Sequence, residues 1–156
     1  MIDGKNKKGV SAIEIVIAIG ILAALLALIT PPFLNYRQSG IVELTAQNIV
    51  SQLSEARRLT LSSEGDSRYG VRLELSTSTL FKGASFQYGN LLNKVFVFDK
   101  GVTLSPIVLN GGGTDVIFNR LTGATGGYGT ATVSSVSNPS RSKNIIIEKT
   151  GLINVQ

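Results

Sequence analysis

Between residues 10 and 29 only Ser11 and Glu14 interrupt an apolar run, and residues 15–29 contain no polar side chain. As a helix, a segment of this length rises about 30 Å, the hydrocarbon thickness of a bilayer. Lys5, Lys7 and Lys8 stand immediately before it, and basic residues of this kind hold their end of a span in the cytoplasm. The expected topology is a single pass with the N-terminus inside and residues 33–156 translocated. A cleaved secretory signal fits less well, because its small-residue cleavage triplet should follow the apolar core. Here the run ends in Thr30-Pro31-Pro32-Phe33. A buried core helix would be unusually apolar all round for a domain this small.

Glu14 is the residue that a plain anchor leaves unexplained. A carboxylate deep in a membrane helix costs about 2.5–3.5 kcal/mol on insertion scales and usually marks a function. Near a helix start the cost is lower, because the positive end of the helix dipole favours an acid by about 0.3–1 kcal/mol. The dipole alone therefore offers one account of Glu14, and an acid waiting for a cationic partner offers another.

Lys7-Lys8-Gly9, then Val10, then Glu14 as the fifth residue after that glycine, with the apolar run beyond, resembles the leader of type IV pilin-like proteins. The resemblance implies a leader over residues 1–9, cut between Gly9 and Val10 by prepilin peptidase, which also methylates the new N-terminal amine. Val10 stands where the family usually has Phe. Gly20 and Pro31 fall at offsets where these proteins often carry Gly and Pro. The resemblance further implies that Glu14 meets the N-terminal amine of a neighbouring subunit, so that a misregistered subunit leaves a charge unpaired in an apolar bundle. Implied partners are prepilin peptidase, other pilin or pseudopilin subunits, the inner-membrane assembly machinery, and the membrane itself before assembly. The implied location is the cytoplasmic membrane, then an extracytoplasmic filament.

The chain divides in this reading into the leader 1–9, a membrane and assembly half of the first helix over 10–32, its amphipathic half over 33–64, and a β-rich domain over 65–156. Gly20, Ala24 and Ala27 place small residues on one side of the first half, which permits close helix approach. Pro31 and Pro32 lack two successive N–H groups and predict a kink or short break. In the second half Val42, Ala46, Ile49, Leu53, Ala56 and Thr60 recur at steps of four and three, the mark of one buried stripe. The helix should end near Ser62-Ser63-Glu64-Gly65.

Past Gly65 the period becomes two: Tyr69, Val71, Leu73 and Leu75 alternate with Gly70, Arg72 and Glu74. Further strands are expected near 79–82, 94–98, 101–104, 115–119, 130–135, 144–148 and 152–155, with a tight turn at Lys149-Thr150-Gly151. Gly-, Ser- and Thr-rich stretches at 110–113, 122–129 and 134–142 read as loops. The fold class is α+β, a long N-terminal helix packed on antiparallel sheet. Leu53-Ser54-Glu55-Ala56-Arg57, Tyr69-Gly70-Val71, Val116-Ile117-Phe118 with Gly123, and the closing Ile145-Ile146-Ile147 to Gly151-Leu152-Ile153 resemble the GspH/FimT group of pseudopilins and minor pilins.

The chain has no Cys and no His, which removes disulfides, thiolate metal sites, cysteine nucleophiles and histidine acid–base chemistry. The glycine clusters lack phosphate-loop and dinucleotide spacing. Asp66, Asp99 and Asp115 lack calcium-loop spacing. No cofactor, metal or enzyme activity is expected. Of the net charge of +5, the leader supplies +2, and the remaining 12 basic and 9 acidic residues are dispersed. Some FimT-type minor pilins bind DNA, and Arg57, Arg58, Arg141 and Lys143 are the candidate contacts for such a role. The sequence through Gln156 shows no basic tail of the kind those relatives carry. Three classes stay open: a filament subunit, a DNA-binding minor pilin whose cations would form one patch, and a membrane-anchored binding protein that would keep residues 1–9.

Overall fold

The computed structural model describes residues 10–156, and side chains for 10–26 and 40–156. The chain forms two compact units, one through Arg37 and one from Gln38 to Gln156.

In the first unit, helix α1 begins at Ala12, and its assigned span is Ala12–Leu61. The Ser11 carbonyl accepts the amides of Glu14 (3.0 Å) and Ile15 (3.3 Å) and so closes the first turn. Pro31 and Pro32 fall among residues whose side chains lie outside the description, and the kink expected there stays an expectation.

In the second unit, the six stripe positions Val42, Ala46, Ile49, Leu53, Ala56 and Thr60 are all buried. The helix ends at Leu61, and Ser63 then takes a left-handed conformation with φ 51°. A 3-10 turn, Glu64–Asp66, leads into the sheets. Eight strands follow: β1 (Tyr69–Leu73), β2 (Thr77–Lys82), β3 (Lys94–Val97), β4 (Val102–Leu109), β5 (Asp115–Ile117), β6 (Gly129–Ser135), β7 (Ser142–Ile147) and β8 (Ile153–Val155). They make two antiparallel four-stranded sheets, ordered β3-β2-β1-β5 and β4-β6-β7-β8.

One core joins the stripe to both sheets. Val71, Leu73, Leu80 and Val116 come from the first sheet, and Leu104, Val133, Ile145 and Ile147 from the second. The α+β class with antiparallel sheets is therefore the observed one. Each expected strand has its counterpart, but β4 runs five residues beyond the expected end at Leu104. Its ladder with β6 passes from Leu104↔Val133 to Ile107↔Ala131, so Ser105 and Pro106 stand opposite Thr132 alone. Proline is tolerated there because β4 is an edge strand and the bulge needs no N–H from it.

Two glycines are required by close approach. A Cβ on Gly70 would lie 2.7 Å from Phe81 and 2.8 Å from the Val116 carbonyl, so β1 lets Phe81 lie across it. Gly151 has φ +81°, and a Cβ there would meet the Gly123 carbonyl at 1.9 Å. Its amide donates to the Glu148 carbonyl at 2.8 Å, closing the turn between β7 and β8.

Candidate assembly site

The start of α1 is apolar on every side. Its large side chains run from 50 % exposed at Ile15 to 68 % at Ile13, so no face is reserved for a core of its own. A helix with this character is covered by lipid or by other helices. Glu14 and Ala18 stand four residues apart on one face of the helix, and Val10, just ahead of the helix, borders the same surface groove. The Glu14 side chain is exposed and has no hydrogen bond or ion pair among the described residues. It stands in the first turn of the helix, where the helix dipole favours its charge.

Lys7, Lys8 and Gly9 lie outside the described residues, so the geometry of the expected cleavage site is not on view. Among the described residues no helix is long and apolar enough to cross a membrane. The apolar run of the sequence continues past Leu26 into residues whose side chains lie outside the description.

The four cations proposed as DNA contacts are spread apart. The Lys143 Nζ pairs with Glu43 at 3.3 Å. Hydrogen bonds from Gln47 and then Lys143 hold the Glu43 carboxyl below the usual glutamate range. Arg57 donates from Nε to the Gly123 carbonyl at 3.3 Å, and Arg58 is exposed beside it. Glu43 and Arg57 are separated along α1 by about 21 Å of helix rise. Arg141 lies two residues from Lys143, where its carbonyl accepts the Ser135 amide at 3.0 Å. The pair on the helix and the pair near β7 thus do not form one patch.

A further polar cluster lies on the outer side of the first sheet, and sequence reasoning missed it. The Arg72 guanidinium contacts Glu74 at 3.1 Å and Asp115 at 3.2 Å. It lies 4.7 Å from the Phe86 ring centroid and 5.4 Å from that of Tyr88. Thr77 and Tyr88 donate to the Glu74 carboxylate at 2.8 Å and 2.9 Å. Phe86 stacks edge-on against Phe81, with centroids 5.5 Å apart. These contacts fasten the segment between β2 and β3 across the sheet. Hydrogen bonds from Thr77, then Tyr88 and Arg72, hold the Glu74 carboxyl below its ordinary range. Burial pushes the Asp115 carboxyl above its own, with Arg72 offsetting only part of the effect. No buried side-chain nitrogen or oxygen among the described residues is left without a partner, and the contacts of the cluster run among its own members, which is the pattern of a fastening. Among the described residues no group of three or more acidic, His or Cys side chains is placed to hold a metal.

No family model matches the chain, and no curated protein matches it. Among solved structures the chain is similar to the minor pseudopilin EpsH from the type II secretion system of Vibrio cholerae. One structure of that protein is 13% identical, with a TM-score of 0.57, covering 75% of this chain and 94% of that chain. A second is also 13% identical, with a TM-score of 0.53, covering 74% of this chain and 95% of that one. At this identity the likeness is one of fold, and the fold is pseudopilin-like.

Proposed function

We propose that this chain is a structural, non-catalytic subunit, a minor pilin or pseudopilin, of a type IV pilus or type II secretion-like filament. In this reading prepilin peptidase cuts between Gly9 and Val10 and methylates Val10. The apolar segment 10–32 then holds the subunit in the cytoplasmic membrane, with residues 33–156 outside. Assembly machinery in that membrane draws the helix into a bundle with other subunits, and Pro31-Pro32 loosens it below the amphipathic half.

The observation that carries the reading is Glu14, the one acid in a helix start that is apolar all round and without a partner among the described residues. The pseudopilin-like fold of the remainder supports it. In a bundle the carboxylate would pair with the amine of a neighbouring Val10. An uncompensated charge in an apolar medium is strongly unfavourable, so the pair would select axial register. The test is to express Glu14→Ala and Glu14→Val in native cells and compare the membrane and filament fractions. Both variants are expected in the membrane and absent from filaments. Incorporation at the level of the unchanged chain would remove the assembly role.

A further inference from the structure

Strand β8 is an edge of the second sheet, paired on one side only with β7. Its hydrogen-bonding parity is fixed by its neighbours. Asn144 and Gln156 exchange both backbone bonds at 2.9 Å, and the Glu148 amide donates to the Leu152 carbonyl at 2.9 Å. In an antiparallel ladder such bonded pairs alternate with non-bonded ones. Asn154 therefore turns its amide and carbonyl toward β7, and Ile153 and Val155 turn theirs away from it. The Ile153 and Val155 side chains meanwhile pack against the core. The open edge thus offers main-chain groups from residues that are held firmly in place.

A groove of about 490 Å³ adjoins this edge, formed by Ser54, Arg57, Arg58 and Leu61 of α1 with Leu152 and Ile153. Its walls combine apolar surface with two guanidinium groups. Among the described residues neither Arg57 nor Arg58 takes part in an ion pair. Arg57 spends its Nε on the Gly123 carbonyl, which holds the guanidinium beside the groove and leaves its terminal nitrogens for another acceptor.

We infer that this groove is a strand-addition site for an extended acidic peptide segment of a partner protein. Main-chain bonds to Ile153 and Val155 would supply the docking geometry common to sheet augmentation. The side chains of the incoming strand on the face turned toward α1 would be carboxylates that meet Arg57 and Arg58, and the alternate, apolar ones would lie on the outer face beside Leu152. The observations favour peptide over nucleic acid because the edge presents a backbone ladder and apolar walls, with only two cations. A nucleic-acid site would draw on a wider basic surface and on planar stacking groups. The inference goes beyond the filament reading and does not depend on it.

The test uses the full chain in detergent micelles and a fluorescein-labelled peptide of alternating valine and glutamate, about six residues long, the length of an average strand. Its controls are the valine–lysine counterpart and a labelled oligothymidine. Fluorescence anisotropy follows binding, and amide hydrogen exchange follows the edge. The acidic peptide is expected to bind and to slow exchange at Ile153 and Val155 by about tenfold or more. Arg58→Glu is expected to weaken binding by about tenfold or more. Val155→Pro removes an amide that faces away from β7, so it should abolish binding while the chain keeps its cooperative unfolding transition. Equal binding of the lysine peptide, tighter binding of the oligothymidine, or an unchanged affinity in Arg58→Glu would each overturn the inference. So would the absence of any slowing at the two amides with peptide at millimolar concentration.

Discussion

The Thr60 hydroxyl accepts the Tyr69 amide at 2.9 Å while donating to the Ala56 carbonyl at 2.8 Å, and so ties the last turn of α1 to the first residue of β1. Thr60 is fully buried, so no water can replace it. Thr60→Val keeps the shape and removes the acceptor, leaving the Tyr69 N–H unmatched. The expected loss is about 1–3 kcal/mol, read as a lower urea midpoint. Thr60→Ser, which keeps the oxygen, should lose less. Equal midpoints for Val and wild type would show that the bond contributes nothing.

The stripe on α1 makes a graded prediction. Leu53 is 0% exposed and Leu44 is 61% exposed on the same helix. Leu53→Ala opens a cavity between helix and sheets and should cost about 2–5 kcal/mol. Leu44→Ala should change stability by no more than about 0.5 kcal/mol. Chemical unfolding of the two variants side by side checks both, and similar losses would contradict the burial pattern.

Acid should loosen the outer fastening of the first sheet through Glu74. Its carboxyl is held below the ordinary value of 4.5. Its contribution to stability is therefore present above that value and is lost as pH falls through the lower, folded-state value. Asp115 acts in the opposite sense. Its carboxyl sits above the ordinary 3.8, so protonation relieves a burdened charge as pH falls toward that value. Glu74→Gln should flatten the decline in unfolding midpoint below pH 4.5, and Asp115→Asn should steepen it. An unchanged profile in Glu74→Gln would exclude the carboxylate from the fastening.

Processing is checked by mass spectrometry of the protein from its native cells. The expected N-terminal peptide starts at Val10 and carries one methyl group on its amine. Material beginning at Met1, or beyond Phe33, would exclude the filament reading.

Helical and strand periods are local, and they made much of the globular unit legible. The step of four and three from Val42 to Thr60 reports a face that is buried throughout, because a helix in contact with a core along its length must keep one stripe apolar. The alternation from Tyr69 to Leu73 works in the same way for β1. The far end of β4 was not legible, since Pro106 looks like a strand breaker until the edge position of the strand is known. The Arg72 cluster was not legible either. Asp115 lies 43 residues from Arg72, and no spacing rule connects the two with Phe86 and Tyr88. Glu14 was conspicuous for a different reason, because a single charge in an apolar run carries its own energetic signature. The open edge of β8 became visible only when register fixed which amides face outward.

The doubled position at Ser105-Pro106 also governs how this strand tolerates changes in length. Inward residues carry even numbers before it, Val102 and Leu104, and odd numbers after it, Ile107 and Leu109. Loss of one residue at the doubled position would convert β4 into an unbroken ladder with the same side chains still facing the helix. Loss of Ile107 instead would turn Leu109 toward water and bring Val108 inward, because the pleat alternates strictly. Variation by a single residue is thus confined to one site, where the local geometry already accommodates the surplus.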